Sequence, residues 1–575
     1  MADRLPRQRP PQDRLLDRRH FLERMGLLTA AAAAGTAFTP TTGVALPGGG
    51  MGAPTLPDPR DIQATEPWAM SLAELAALIR DGALSPAELV DAYLARIDAM
   101  DGTLMAFNTV NAEAARAAAA RLERASWSGP LHGIPLAIKD NYYTKGVLTT
   151  ANSHIYADFV PEYDATAWAR LQEGGAILLG KTQMGPLATT SATTPDGVRT
   201  TRNAWAPGDA TVDPGGSSSG SATSVAARMA ASSTGTQTGG SITNPSSQQG
   251  LTGLKPTMGR VSLHGIVPLT YTRDHPGPLA RDAKDAAIML QHMAGPDPMD
   301  ARTQGLPPVP DFINAAEPVR RGSRVALRWP TTVGILPGYL DPPEDEGGPG
   351  EVGGFRPRSE TPEERDRRVR LARERRATEQ TARQAMVATF QELGAQVVEV
   401  VLPPDWELLT GGNFNNVRLP ERTEPFLDVL RRDVRLFGVA LSPWINGLLL
   451  SGPEYLRGQR AKMLLLQRVL DGLFAQCDVV VQTSPIPFDI IGLPLIAFPI
   501  GFEASRGTPL PIPGMLGGLP FGEERLLSLV AGYQAVTDWH RRRPADALAP
   551  GDGTGRQGLD PSHRLDVLDV LESCQ

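Results

Sequence analysis

Between Met70 and Gly102 the chain reads MSLAELAALIRDGALSPAELVDAYLARIDAMDG, with apolar residues recurring at three and four positions, which predicts two amphipathic helices. Ser85, with Pro86 at the first helical position and Glu88 three residues on, is a capping box that starts the second helix, and Gly102 is expected to stop it. An Ala-rich helix follows. GIPLAIKDN and GAILLGKT are short apolar runs bounded by glycine, and helical stretches separate them. SRVALRW, AQVVEVV, CDVVVQTS and LPLIAFPIGF repeat the strand pattern later, with TEQTARQAMVATFQELG as a helix among them. Strands alternating with helices predict one large α/β domain, residues 68–545.

Four stretches break that rhythm. Between Gly338 and Ser359 the chain is rich in glycine, proline and acid, so 338–360 is expected to be an exposed loop. Thr361, Pro362 and Glu364 then cap a long arginine-rich helix whose charges form a solvated face. LFGVALSPWINGLLL, from Leu436 to Leu450, is apolar but broken by Pro443 and Asn446, which suits a pocket wall or core better than a membrane. Residues 546–575 read as a tail. At the other end, Arg18 and Arg19 precede Phe21, Leu22 and an apolar Ala-rich stretch from Met25 to Phe38, with small Gly43 and Ala45 beyond. This order resembles a twin-arginine export signal over residues 1–45, too short to span a bilayer, followed by a Pro-rich linker, 46–67. The expected location is therefore periplasmic or extracellular.

Composition narrows the functional classes. The 59 glycines and 52 prolines fall short of a fibrous or disordered chain, and a formal net charge of −7 offers no footprint for nucleic acid. Seven arginines against four acids lie in residues 1–45, so removing them leaves the remainder more acidic still. Two cysteines, Cys477 and Cys574, are too few for a disulfide framework or a cysteine-rich zinc site. Neither a metal nor a cofactor is called for.

Chemistry concentrates between residues 133 and 282. In DPGGSSSGSATSVAARMAASSTGTQTGGSITNPSSQQGLTGLKPT small residues surround two serine clusters at a density no propensity favours, so close backbone approach is the purpose. Gly239 and Gly240 directly before Ser241 let successive N–H groups converge on one point, as an oxyanion hole requires. The whole stretch closely resembles the amidase signature family, whose usual form reads PGGSSGGSA, then GGSI and GLKPT. GIPLAIKDN, GRVSLHGIVPL, RDHPGPLARDAKDAA and FAQCDVVVQTSPIP continue the likeness, which covers most of the chain.

The resemblance implies a single domain with a mixed sheet covered by helices on both faces, and a Ser-Ser-Lys mechanism without cofactor or metal. Ser241 would be the nucleophile. Ser217, following a cis peptide bond after Gly216, would relay its proton to Lys139. As a base Lys139 must be neutral near pH 7, which burial behind the apolar run Ile134 to Ile138 would achieve. Backbone N–H groups of Thr238, Gly239, Gly240 and Ser241 would bind the oxyanion, and Ser218 would order the network. The chain departs from the family at two places: Gln237 stands where an aspartate is common, and Thr243 where an arginine is. Gln237 and Thr243 are expected to hold the turn as uncharged substitutes. GSSSG, Gly216 to Gly220, also matches a G-x-S-x-G elbow with Ser218 as nucleophile, but GDATVDPG before it is a poor strand. A Ser-His-Asp site would need His275.

The expected reaction is hydrolysis of a small neutral amide, apolar or aryl, with esters and carbamates as the alternative. The later half offers Trp406, Phe414, Phe426, Phe437 and Trp444 for the pocket. A catalytically silent binding protein is the other class, disfavoured by retention of both serines and the lysine. Partners are expected to be limited to the small-molecule substrate, with no nucleic acid or membrane, in a monomer or homodimer.

Overall fold

The computed structural model describes residues 55–341, 362–411, 413–504 and 507–547. The expected leader, most of the 338–360 loop, Thr361 and nearly all of the 546–575 tail lie outside these residues, as does the side chain of Phe414.

Among the described residues there are thirteen strands: β1 (Phe107–Val110), β2 (Pro135–Lys139), β3 (Ile177–Thr182), β4 (Ser232–Gln237), β5 (Thr252–Lys255), β6 (His275–Ala280), β7 (Val319–Arg321), β8 (Arg324–Ala326), β9 (Thr332–Ile335), β10 (Gln396–Glu399), β11 (Val479–Val481), β12 (Leu495–Glu503) and β13 (Leu510–Gly518). Eleven form one mixed sheet, in the order β1-β3-β2-β4-β6-β5-β12-β13-β11-β9-β10. β2 runs parallel to β3 and β4, and β9 parallel to β10 and β11, while the remaining pairs are antiparallel. Helices flank this sheet, which is the expected α/β architecture. β2, β3 and β12 are buried almost throughout, as strands covered on both faces should be, and that is why they read as continuous apolar runs.

The predicted second helix runs Pro86–Leu104, with the Ser85–Glu88 capping box formed. It passes Gly102 and ends two residues later, where Met105 takes a left-handed conformation with φ 49°. The arginine-rich helix begins at Pro362 as expected and continues to Glu392. SRVALRW is placed differently. Its strand, β8, pairs only with β7 in a two-stranded ribbon outside the main sheet and is partly exposed.

LFGVALSPWINGLLL forms a 3₁₀ segment and the helix Leu441–Leu449. Phe437 and Trp444 are buried with Phe426, their ring centroids 5.6 to 6.0 Å apart, and the Arg422 guanidinium lies 5.0 Å over the Trp444 ring. These three aromatics pack with Met184, Leu187, Val267 and Leu269 in one buried cluster, as core residues do. Trp406 is half-buried against a second cluster that includes Leu409 and Leu465. Among the described residues no single helix is long and apolar enough to cross a membrane.

Candidate active site

The site begins where two parallel strands part. β2 and β4 pair at Leu136↔Ser232 and Ala137↔Ser233, and beyond that point the Lys139 N–H donates instead to the Thr234 hydroxyl at 3.2 Å. The gap at these carboxyl ends, where open α/β sheets commonly hold ligands, receives the Lys139 side chain. Its Nζ donates to Ser217 Oγ and to Thr236 Oγ1, each at 2.9 Å, with the Thr236 carbonyl at 3.4 Å. Asn141 Nδ2 donates to the same Thr236 hydroxyl at 3.1 Å and fixes it. Lys139 is wholly buried, and loss of hydration pulls its pKa down to about 7 against the weaker opposing field of Asp274.

Ser217 follows a cis peptide bond from Gly216. A Cβ at Gly216 would lie 2.5 Å from the Thr190 carbonyl oxygen, so only glycine fits there. Ser218 donates its hydroxyl to the Ser241 carbonyl at 2.5 Å, tying the two serine clusters together. Ser241 sits between β4 and the helix Thr243–Gln249, on a turn that Gly240 permits with φ +91°. The hydroxyls of Ser217 and Ser241 share no hydrogen bond. Such catalytic contacts commonly close only with substrate in place.

The turn itself is held from beneath. Gln237 Oε1 accepts from the N–H groups of Ile242 and Thr243, both at 2.8 Å, and from Thr243 Oγ1 at 3.2 Å. Its Nε2 donates to Asp489 Oδ1 at 2.8 Å, and the other Asp489 oxygen accepts from Gly240 N–H at 2.8 Å. Gln237 and Thr243 thus hold the turn as uncharged residues, as expected, and a buried carboxylate from the helix Ile486–Ile491, which was not expected, joins them. Gly240 is placed differently from expectation, because an N–H already donated to Asp489 is turned away from an oxyanion. The N–H groups of Gly239 and Ser241 have no acceptor among the described residues, and Gly239 is exposed. Thr238 is fixed by its hydroxyl, which donates to Asp274, and by its carbonyl, which accepts from Arg273 Nη2 at 3.0 Å.

His275 is buried with Nδ1 3.2 Å from the Gln237 carbonyl and makes no hydrogen bond to Ser217, Ser218 or Ser241. Three residues that hold the site escaped the sequence reading: Thr236, Asp274 and Asp489. The signal for Asp489 was available, because it is the one acid in the apolar run PFDIIGLPLIAF, and a charge there must find a buried partner.

A family model described as Amidase matches residues 88–337. The glutamyl-tRNA(Gln) amidotransferase A subunit of Roseiflexus sp. (strain RS-1) is 34% identical over 83% of this chain and 98% of its own. The peptide amidase of Stenotrophomonas maltophilia superposes with a TM-score of 0.65 at 28% identity, over 83% of this chain and 98% of that one. A structure described as a vestigial protein complex revealing the origins of an s-triazine catabolic enzyme gives 0.66 at 27%, over 81% and 98%. A mixed sheet flanked by helices, with a lysine and two serines gathered at strand ends, is the framework of an enzyme acting on C–N bonds. The chain belongs to the amidase family.

Proposed function

We propose that the protein hydrolyses the C–N bond of a small neutral amide through an acyl-enzyme on Ser241. The observation that carries this reading is the buried 2.9 Å hydrogen bond from Lys139 Nζ to Ser217 Oγ, made by an amine whose pKa lies at about 7. Neutral Lys139 accepts the Ser217 proton while Ser217 accepts that of Ser241, and Ser241 Oγ attacks the carbonyl carbon. The oxyanion meets the N–H groups of Gly239 and Ser241, with that of Thr238 beside them, which has no acceptor among the described residues either. As the C–N bond breaks, the proton returns along the same path to the leaving nitrogen, and water then releases the acid by the same steps. A neutral substrate is supported by the charges around the turn. Arg273, Asp274, Lys255 and Asp489 are each at most 5% exposed and bonded inward, so these four charges are spent on holding the turn.

The test is a panel of anilides, p-nitroanilides, carbamates and esters, with a fluorophosphonate probe to locate the nucleophile. Turnover with an adduct on Ser241, both lost in Ser241→Ala, is the expected result; an adduct on Ser218 would overturn the assignment. Amidotransferase relatives favour a second reading, in which glutamine is the amide and further protein chains are partners. Free glutaminase activity, or co-purification of partner proteins with the tagged chain, would establish it. We also propose that residues 1–45 direct export, on the order Arg18-Arg19, apolar stretch and small residues.

A further inference from the structure

We propose that Asp489 is a positioning residue for the reaction: its carboxylate, held between the Gln237 carboxamide and the Gly240 N–H, sets the orientation of the oxyanion turn. This rests on the proposed acyl-enzyme chemistry at Ser241. The geometry is that of a fixed donor–acceptor chain. Gln237 faces the turn with its oxygen and Asp489 with its nitrogen, because two backbone N–H groups claim the oxygen and a carboxylate can only accept. Asp489 then uses its second oxygen on Gly240, one residue before the nucleophile. No atom in this chain can be reversed without setting two donors or two acceptors face to face.

The anchor is itself fixed. Asp489 is wholly buried, Lys255 Nζ lies 3.9 Å from its Oδ1, and the same ammonium donates to the Leu493 carbonyl. Lys255 thus answers the charge and holds the 489–493 segment against β5. Pulling the Gly240 N–H inward leaves its neighbours Gly239 and Ser241 to face outward, so one hydrogen bond away from the reacting atoms determines which N–H groups are offered to the substrate.

Polarity gives the test. In Asp489→Asn the introduced amide meets the Gln237 amide or the Gly240 N–H, donor against donor. In Gln237→Glu two carboxylates meet. Combining them restores every hydrogen bond of the donor–acceptor chain with the charge transposed, at the cost only of the Lys255 ion pair: the introduced amide nitrogen donates to the introduced carboxylate, and the amide oxygen accepts from Gly240. Measured on an amide that the wild type turns over, each single variant should lose about 100-fold in kcat, the scale of one misplaced oxyanion donor, with KM within about threefold. The double variant should recover to within about tenfold of wild type, and the rate of Ser241 labelling by a fluorophosphonate should follow the same order. Singles that keep kcat, or a double no better than the worse single, overturn the inference. If a single variant does not fold, the double decides alone: folded and labelled supports the brace, unfolded or unlabelled refutes it. Wild-type protein with Ser241 unlabelled removes the acyl-enzyme reading and this inference with it, whereas equal labelling of all four proteins removes only the brace.

Discussion

Three lysines among the described residues are wholly buried, and only their partners separate a base from a strut. Lys181 donates to the Tyr142 carbonyl at 2.7 Å and to the hydroxyls of Thr144 and Thr149 at 3.0 and 2.7 Å, with Asp140 at 3.4 Å. Every proton it carries has a fixed acceptor. Lys255 lies between a carboxylate and a carbonyl. Of the three, only Lys139 faces a serine hydroxyl, that of Ser217, beside the hydroxyl of Thr236. Its pKa falls from 10.5 to about 7 because burial penalises the ammonium. Activity should therefore rise with pH through about 7. The same shift acts on stability: the unfolded chain holds this proton up to about 10.5 and the folded chain releases it near 7, so the destabilising effect is complete below pH 7 and fades as pH rises through that window. Lys139→Met should abolish turnover, and its unfolding free energy relative to wild type should fall by up to about 1.4 kcal/mol per pH unit between pH 7 and 10. Urea denaturation at several pH values would measure this, and a pH-independent difference would contradict it.

At the scale of elements, the strongest local signals were those that carry their own chemistry. The Ser85–Glu88 box forms at the predicted residues, with Ser85 N–H donating to Glu88 at 2.9 Å and Glu88 N–H to Ser85 Oγ at 3.2 Å. Ser85→Ala should cost about 1 kcal/mol, read as a lower urea midpoint at unchanged slope. The apolar strands β2, β3, β11 and β12 were legible for the same reason, as buried runs need no alternation. β4, reading SSTGTQ, and β6, reading HPGPLA, were not, because polar residues, glycine and proline argue against a central strand. They are central all the same. The hydroxyls of β4 are satisfied within the sheet, Ser232 donating to Leu279 O and Ser233 to Ala137 O. The prolines of β6 are tolerated because β5 pairs with it only at Leu279 and Ala280. Ser217 and Ser241 were legible because they lie in one dense motif, and Lys139 because its apolar run GIPLAIKDN continues the same family likeness. For Asp489 the apolar run around it signals a buried acid, but nothing local links position 489 to a turn at 240.

The molecule as a whole joins its first and last parts across one sheet. β5, just past Ser241, lies between β6 and β12, so strands from either side of residues 338–360 meet in one sheet beside the site. The family model stops at residue 337, short of β12 and of Asp489, the residue whose carboxylate accepts the Gly240 N–H. The export proposal also concerns the whole chain, because a twin-arginine route would have to carry this long-range fold already assembled. Replacing Arg18 and Arg19 by lysine should leave full-length precursor in the cytosol, seen by fractionation and intact mass. Unchanged secretion of the double variant would sink that proposal.

The bond from Gly240 to Asp489 joins residues 249 positions apart. On a ribosome adding about 5–20 residues per second, roughly 10 to 50 seconds separate the emergence of the two. During that interval Ser241 is already synthesised while the turn that presents it has its bonds to Gln237 and Ser218 but lacks the one to Asp489. On the proposed role of Asp489, acyl-enzyme chemistry at Ser241 would begin only when the last strands arrive, so the cell would meet that serine in working order only as a finished molecule.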